Sequence, residues 1–279
     1  MEDKNYTLIT GSTGFLGSNI LRMLKNKNLR ILAGYNNKKN LIKAKNVIPI
    51  KFQIENFAKQ KIIKYKISNL IHLAWPNLDN FTDIAHKKKI LNNQKKFIEN
   101  MVKNGCKNLI IAGTCYEYGL INGKIKESKR TKPSCSYGYG KDSLRKYVFK
   151  LKKKYRFKLT WLRIFYIYGK NPNRNTLFNR VLNSKKTNQY IILNNKIRRD
   201  YVNIDFVAKV FVKILSKNKD NGIVNLSSGK KISLKILMNL LKFEYNIDAI
   251  VKYKNTKQRI FEPESFYGDN NKLKKILND

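Results

Sequence analysis

The 279-residue chain predicts an α/β fold in which a doubly wound parallel sheet carries a smaller C-terminal α/β lobe. Three observations predict it. An apolar strand, Tyr6 to Thr10, runs straight into a glycine-rich turn and an amphipathic stretch. Apolar runs and helical patterns then alternate as far as Ile167. After Tyr168-Gly169 the alternation weakens into turn-rich segments and shorter elements. The length is enough for a substantial core.

The first turn reads Gly11-Ser-Thr13-Gly14-Phe15-Leu16-Gly17, and the amphipathic residues Ser18 to Lys25 follow it. Strand, glycine turn and helix is the context a dinucleotide fingerprint requires. Gly11 permits a tight exit from the strand and Gly14 lets backbone amides approach a pyrophosphate. Gly17 removes a side chain where the helix packs on the sheet. Free N–H groups at the helix start then face the anion. The spacing Gly-x-x-Gly-x-x-Gly is one residue longer in its first gap than the common pattern. A glycine turn without ligand is the alternative, and its position after the first strand disfavours it.

A second strand, Leu29 to Tyr35, ends at Asn36-Asn37-Lys38-Lys39. An acid there would hold a ribose 2′-hydroxyl; instead two lysines could meet a 2′-phosphate, which favours NADP(H) over NAD(H). Val47 to Ile54 reads as a third strand. Asn69 to Trp75 is a fourth, almost continuously apolar as a parallel strand buried on both faces should be, with His72 inside it as a core histidine. Asp83 to Asn104 carries helical spacing through Ile84, Leu91, Phe97, Ile98 and Met101 and stops at Gly105. Leu109 to Ala112 is a fifth strand, which sets Thr114 at the sheet edge where open α/β folds bind ligands.

Pro133 leads into a helix from about Ser136 to Lys154, and Tyr137 and Lys141 fall one turn apart on one face of it. A tyrosine beside a fixed ammonium is expected to have its pKa lowered toward a range useful for proton transfer. An exposed face of a helix rich in Lys and Tyr would show the same spacing. Leu159 to Ile167 is a sixth strand. Beyond it come a turn-rich link at Lys170 to Arg174, a short strand at Tyr190 to Leu193, and the polar cluster Arg198 to Tyr201. A helix from about Asp205 to Lys217, a strand from Ile223 to Leu226 and a helix near Leu234 to Phe243 complete a second, irregular lobe. Without repeats or low-complexity linkers, the lobes should pack closely and share a cleft.

The formal charge of +41 raises nucleic acid as a partner. The lysines are spread along the whole chain among many Asn and Ile residues, which reads as a composition bias and makes nucleic acid an unfavoured partner. Three cysteines (Cys106, Cys115, Cys135) and two histidines offer no metal-ligand spacing, so no metal is expected. Without a signal-peptide layout or an apolar run of membrane-spanning length, the expectation is a soluble cytoplasmic protein with no membrane contact.

Four motifs now stand in register. They are the glycine turn, Thr114 five residues before the glycine of Tyr118-Gly119, the Tyr137-x-x-x-Lys141 pair, and Arg199-Asp200-Tyr201-Val202 with Asp205 following. The chain resembles the extended short-chain dehydrogenase/reductases that modify nucleotide sugars, over essentially its whole length. Within that group His72-Leu73-Ala74-Trp75-Pro, Gly113 to Gly119, Tyr137 to Asp142 and Arg163-x-Phe-Tyr166-x-Tyr-Gly169 are similar to bacterial dTDP-4-keto-6-deoxyhexose reductases. The resemblance implies a Rossmann-like NAD(P)-binding domain over 1–168 and a substrate lobe mainly over 169–279, with about 202–228 returning to the first.

It also implies roles. Tyr137 is the general acid toward a C4 carbonyl oxygen, Thr114 stabilises charge on that oxygen, and Lys141 lowers the tyrosine pKa and holds the nicotinamide ribose. Gly11, Thr13, Gly14, Phe15, Leu16, Gly17, Asn36, Lys38, Leu73 and Ala74 join Tyr137 and Lys141 on the cofactor side. Trp75, Tyr166 and Arg199 join Thr114 on the substrate side. Arg199 is the candidate for a nucleotide-sugar diphosphate, with a surface ion pair to Asp200 as the alternative. A homodimer is implied as well.

Departures narrow the reading. Dehydratases of the group carry Asp-Glu after the Thr, where this chain has Cys115 and Tyr116, so dehydration is disfavoured. Cys115 also falls one residue early for the cysteine of epimerase–reductases, and reads as a packing residue. Gln53 stands where an acid often meets the adenine. A UDP-sugar 4-epimerase holding NAD tightly, and a non-catalytic NADP-sensing or RNA-associated protein, are the rival expectations.

Overall fold

The computed structural model describes residues 5–38, 40–59, 64–169, 178–179, 181, 191–194, 196–246, 251–254 and 260–279. Five strands open the fold: β1 (Tyr6–Thr10), β2 (Ile31–Tyr35), β3 (Val47–Lys51), β4 (Ile67–His72) and β5 (Asn108–Thr114). With the strands Lys158–Ile164 and Gly222–Leu226 they make one seven-stranded sheet. Its order is Gly222–Leu226, Lys158–Ile164, β5, β4, β1, β2, β3. Every pairing in it is parallel. The order reverses between β1 and β4, and the carboxyl ends of strands at such a switch point are where open α/β sheets bind ligands.

Alternate residues along each strand feed opposite layers. Leu8, Leu32, Leu70 and Leu109 face helices α2 (Lys89–Lys103) and α3 (Ser136–Tyr155), packing with Phe97, Ile98, Leu144 and Val148. Ile9, Ile31, Ile71 and Ile110 face α1 (Phe15–Leu24) and the helix Ile204–Lys217, packing with Ile20, Leu21, Val207 and Phe211. A smaller core of Phe178, Val181, Leu234, Leu237, Met238 and Leu241 lies under the helix Leu234–Tyr245.

Element boundaries differ from the sequence reading where local chemistry intervenes. Helix α1 begins at Phe15, because Gly14 serves as its N-cap without any side-chain bond. The long helix expected from Asp83 divides into a 3-10 turn, Ile84–His86, capped by Asp83, and α2; Lys88 between them is non-helical. The sixth strand breaks at Phe165, and Tyr166–Tyr168 leaves the sheet to pair with Tyr201–Asn203. Lys39, Tyr190 and the link at 170–174 lie outside the described residues. No helix among the described residues is long and apolar enough to cross a membrane, and none of their His, Cys, Asp and Glu side chains form a group that could hold a metal ion.

Candidate active site

The glycine turn is a tight cradle at the end of β1. Gly11 has φ +67, and a Cβ on it would lie 3.1 Å from the Ala74 backbone. A Cβ on Gly17 would come within 2.2 Å of the Gly11 carbonyl, so α1 could not dock with any larger residue there. Helix α1 starts with no side-chain cap and no acid in its first turn, which leaves its N–H groups turned outward. The Ser12 hydroxyl is buried without a partner. An uncapped helix start with an orphaned hydroxyl beside it fits the pyrophosphate of a dinucleotide. Thr13, Phe15 and Leu16 lie in this same turn and first helical residues.

Around the cradle, the Leu73 and Ala74 N–H groups donate to Thr10 Oγ1 at 3.1 and 3.2 Å, which fixes the end of β4 against β1. Lys38 is exposed past the end of β2, and Asn36 Oδ1 accepts from Gln53 Nε2 at 3.1 Å. His72 is a core residue: Nδ1 pairs with Thr10 Oγ1 at 3.0 Å and Nε2 with Gln94 Oε1 at 2.6 Å. Burial, reinforced by the Lys141 charge, lowers its pKa to about 3.

Thr114 ends β5, and Tyr137 enters α3 opposite it. Cys135 caps α3, its Sγ accepting from the Gly138 N–H at 3.4 Å. Tyr137 N–H donates to the Phe81 carbonyl at 2.9 Å, and Ser136 Oγ to the Thr82 carbonyl at 2.9 Å. The glycines flanking Tyr139 are required for this approach: a Cβ on Gly138 would lie 2.5 Å from Tyr116 O, and one on Gly140 2.4 Å from His86 O. Tyr139 itself points out, 48% exposed, and plays no part.

The structure thus brings together the three residues expected to carry the chemistry. The Thr114 side chain lies close enough to the Tyr137 hydroxyl to lower its pKa. Lys141, 2% exposed, donates to the Ala112 carbonyl at 2.8 Å and sits 4.2 Å over the Trp75 ring. One expectation is corrected here. Tyr137 is not made more acidic: burial, with Cys115 adding to it, raises its pKa, and only the nearby Thr114 side chain opposes them. The ring is enclosed by Phe81, stacked at 5.1 Å, and by the edges of Trp75, His86 and Tyr116, so loss of solvation dominates. Burial likewise lowers Lys141 to about 7.

On the substrate side, Trp75 forms the wall under Lys141, its Nε1 donating to His86 Nδ1 at 3.0 Å. His86 in turn donates from Nε2 to Asn80 O at 2.9 Å. Arg199 is 1% exposed, which removes the surface pair with Asp200. Asp200 accepts instead from Ser228 N and Oγ, Gly229 N and Gly268 N. Arg199 Nη1 donates to Glu264 O at 2.5 Å, Nη2 approaches Glu262 Oε2 at 3.5 Å, and Nε is buried without a partner. The guanidinium lies 5.7 Å from the Tyr166 ring, whose hydroxyl is also buried and unpartnered.

Sequence reasoning missed Glu262, whose Oε1 accepts from Tyr116 Oη at 2.5 Å, and the aromatic pair Phe81 and Phe261 beside it. It also missed Glu117, wholly buried behind Thr114. The available signal was scarcity: with 18 acids against 59 basic residues, each acid in an apolar context stands out.

Residues 7–227 match the NAD dependent epimerase/dehydratase family. Over 269 residues, covering 94% of this chain and 98% of the relative, the chain is 28% identical to dTDP-6-deoxy-L-talose 4-dehydrogenase (NAD(+)) of Aggregatibacter actinomycetemcomitans. It is 24% identical to dTDP-4-dehydro-6-deoxyglucose reductase of Escherichia coli, over 90% of this chain and 85% of that one. Among solved structures, the UDP-N-acetylglucosamine 4-epimerase of Methanobrevibacter ruminantium M1, in complex with UDP-N-acetylmuramic acid, shares the fold. Its TM-score is 0.84 at 22% identity, over 99% of this chain and 92% of that one. The doubly wound sheet, the glycine cradle and a match across most of the chain agree: the protein belongs to the NAD dependent epimerase/dehydratase family, the extended short-chain dehydrogenase/reductases.

Proposed function

We propose that this chain is a nucleotide-sugar 4-ketoreductase, reducing the C4 carbonyl of an NDP-4-keto-6-deoxyhexose with NAD(P)H. The observation that carries the reading is the meeting of Thr114 and Tyr137 at the carboxyl edge of β5, with Lys141 one turn on and no carboxylate at positions 115 and 116. The names of the dTDP-sugar relatives support the same chemistry. NAD(P)H supplies the hydride. Tyr137 delivers a proton to the carbonyl oxygen as the alcohol forms, and Thr114 donates to the same oxygen while charge develops on it. Lys141 holds the nicotinamide ribose. The cradle from Gly11 to Gly17 holds the pyrophosphate.

Lys38 and Asn36, with no acid beside them, favour the 2′-phosphate of NADP(H), while NAD(H) remains usable. The Arg199 guanidinium, with a free Nε beside the unpartnered Tyr166 hydroxyl, faces the sugar or its diphosphate. Residues 169–279, apart from the return at about 202–228, form the substrate lobe of a cytoplasmic homodimer. Glu262, already bonded to Tyr116 and close to Arg199, is not free to act as the base an elimination needs.

The test is purified protein with NADPH or NADH and a panel of NDP-4-keto-6-deoxyhexoses, followed by nicotinamide absorbance. Stoichiometric oxidation with at least one such sugar is expected. No oxidation with any of them, together with tightly held NAD and interconversion of UDP-hexoses, would replace the reductase by an epimerase.

A further inference from the structure

A buried carboxylate persists only where its lone pairs are fully used, because an unpaired one costs several kcal/mol. Glu117 meets that condition at one place in the fold. Its Oε1 accepts from the Thr114 N–H at 3.0 Å and from Trp161 Nε1 at 2.9 Å. Its Oε2 accepts from Arg163 Nε at 2.9 Å, and Arg145 Nε lies 3.4 Å away. Gly113 makes room for this: a Cβ there would lie 2.7 Å from Glu117 Oε1 and 2.2 Å from Trp161 Nε1. On the other side of the same three residues, Lys141 Nζ holds the Ala112 carbonyl. The strand end that presents Thr114 is therefore held by one buried anion and one buried cation.

We propose that Glu117 is a positioning residue for Thr114, Tyr137 and Lys141, its carboxylate clamping the end of β5 and supplying the negative charge that acts on Lys141. The other groups that meet Lys141 favour its ammonium only as uncharged partners. Tyr137 lies on its own helix, neutral His72 on β4, the Trp75 ring beyond β4, and only the Ala112 carbonyl accepts from it on β5. Glu117 is the one charged group that opposes burial there. Its own cations are shared: Arg145 also pairs with Asp142 at 2.7 Å, and Arg163 also donates to the Glu127 carbonyl at 3.2 Å and faces the Tyr118 ring. Part of the Glu117 charge is thus left to act across the strand end. The turnover readouts below rest on the ketoreductase reading; the lysine titration does not.

Glu117→Gln keeps an oxygen for the Thr114 and Trp161 N–H groups and removes the charge. With lysine labelled at Cε with carbon-13, and the Lys141 resonance assigned by its loss in Lys141→Arg, NMR titration reads the ammonium directly. The Lys141 midpoint should fall by about one pH unit in Glu117→Gln, as expected for losing a nearby buried charge. The basic limb of kcat/KM should move down with it. A folded Glu117→Gln protein whose Lys141 midpoint is unmoved overturns the proposal, even if turnover falls. Should Arg145 and Arg163, deprived of their carboxylate, prevent that variant from folding, Glu117→Asp decides. It retains the charge but draws it back from Thr114, so the midpoint should stay in place while kcat drops about tenfold or more at constant KM. Wild-type kcat in Glu117→Asp overturns the clamp. If wild-type protein reduces no keto sugar, the titration still decides about Glu117, and only the function falls.

Discussion

Gly140→Ala sets two effects against each other. In an ordinary helix the change stabilises by about 1 kcal/mol, because glycine is the weaker helix former. Here the new Cβ would sit 2.4 Å from the His86 carbonyl oxygen and 3.1 Å from Trp75 Cζ2, while ordinary contact begins at 3.4 Å. The first turn of α3 and the Ile84–His86 turn must therefore part by about 1 Å, against backbone that cannot rotate away. Overpacking of this size costs about 1–3 kcal/mol, so the sterics cancel or outweigh the helix gain and the net loss is about 0–2 kcal/mol. Tyr137 rides on the displaced turn, and a shift of about 1 Å in a reacting group costs about 100-fold in rate. Urea unfolding gives the stability, with a constant m-value showing that the unfolded state has not changed; initial rates with a keto sugar give the activity. A variant more stable than wild type with unaltered kcat would refute the close approach on which this placement of Tyr137 depends.

Three more outcomes follow from the same geometry. Tyr137→Phe should lose about 100- to 10,000-fold in kcat while cofactor binding by calorimetry is retained; near-normal turnover removes Tyr137 from the mechanism. Lys141 holds its proton up to about pH 10.5 when unfolded but only to about 7 when folded, so between those values the unfolded chain binds the extra proton and stability rises with pH. Lys141→Met should abolish that slope and stabilise the fold at neutral pH while destroying activity, and an unchanged slope would show that Lys141 is not buried as an ammonium. His72, lowered from 6.5 to about 3, adds stability that is complete above pH 6.5 and is lost as pH falls toward 3. His72→Gln should flatten acid unfolding in that window by about 1.4 kcal/mol per pH unit at most.

Much of the site was legible because it depends on local pattern. The strand Tyr6–Thr10 and the turn after it are specified by adjacent residues, and Thr114 lies just past the four-residue apolar run Leu109 to Ala112. Tyr137 and Lys141 are one helical turn apart whatever surrounds them. The rest was hidden because it depends on distance in sequence. Glu117 acquires meaning only when Trp161 and Arg163, more than forty residues on, arrive in the neighbouring strand. Glu262 meets Tyr116 across 146 residues. Arg199 read as a candidate for the substrate diphosphate, with a surface pair to Asp200 as the alternative; folding buries it against the Glu264 carbonyl and the Tyr166 ring, which local sequence could not show.

The reversed sign at Tyr137 bears on the direction of the proposed reaction. A phenol whose pKa is raised by burial keeps its proton at working pH, which suits a group that must donate during reduction. The reverse oxidation needs the phenolate, the form that burial disfavours. Below pH 7, where Lys141 is charged, reduction should therefore be insensitive to pH. Oxidation of the product alcohol should rise about tenfold per unit, following the phenolate fraction. Initial rates in both directions between about pH 5.5 and 7 measure this, a window in which His72 gives up at most about 1.4 kcal/mol of stability. Equal pH-independence in the two directions would mean that the proton does not pass through Tyr137, nor through Tyr116 or Tyr166, whose hydroxyls burial raises in the same way.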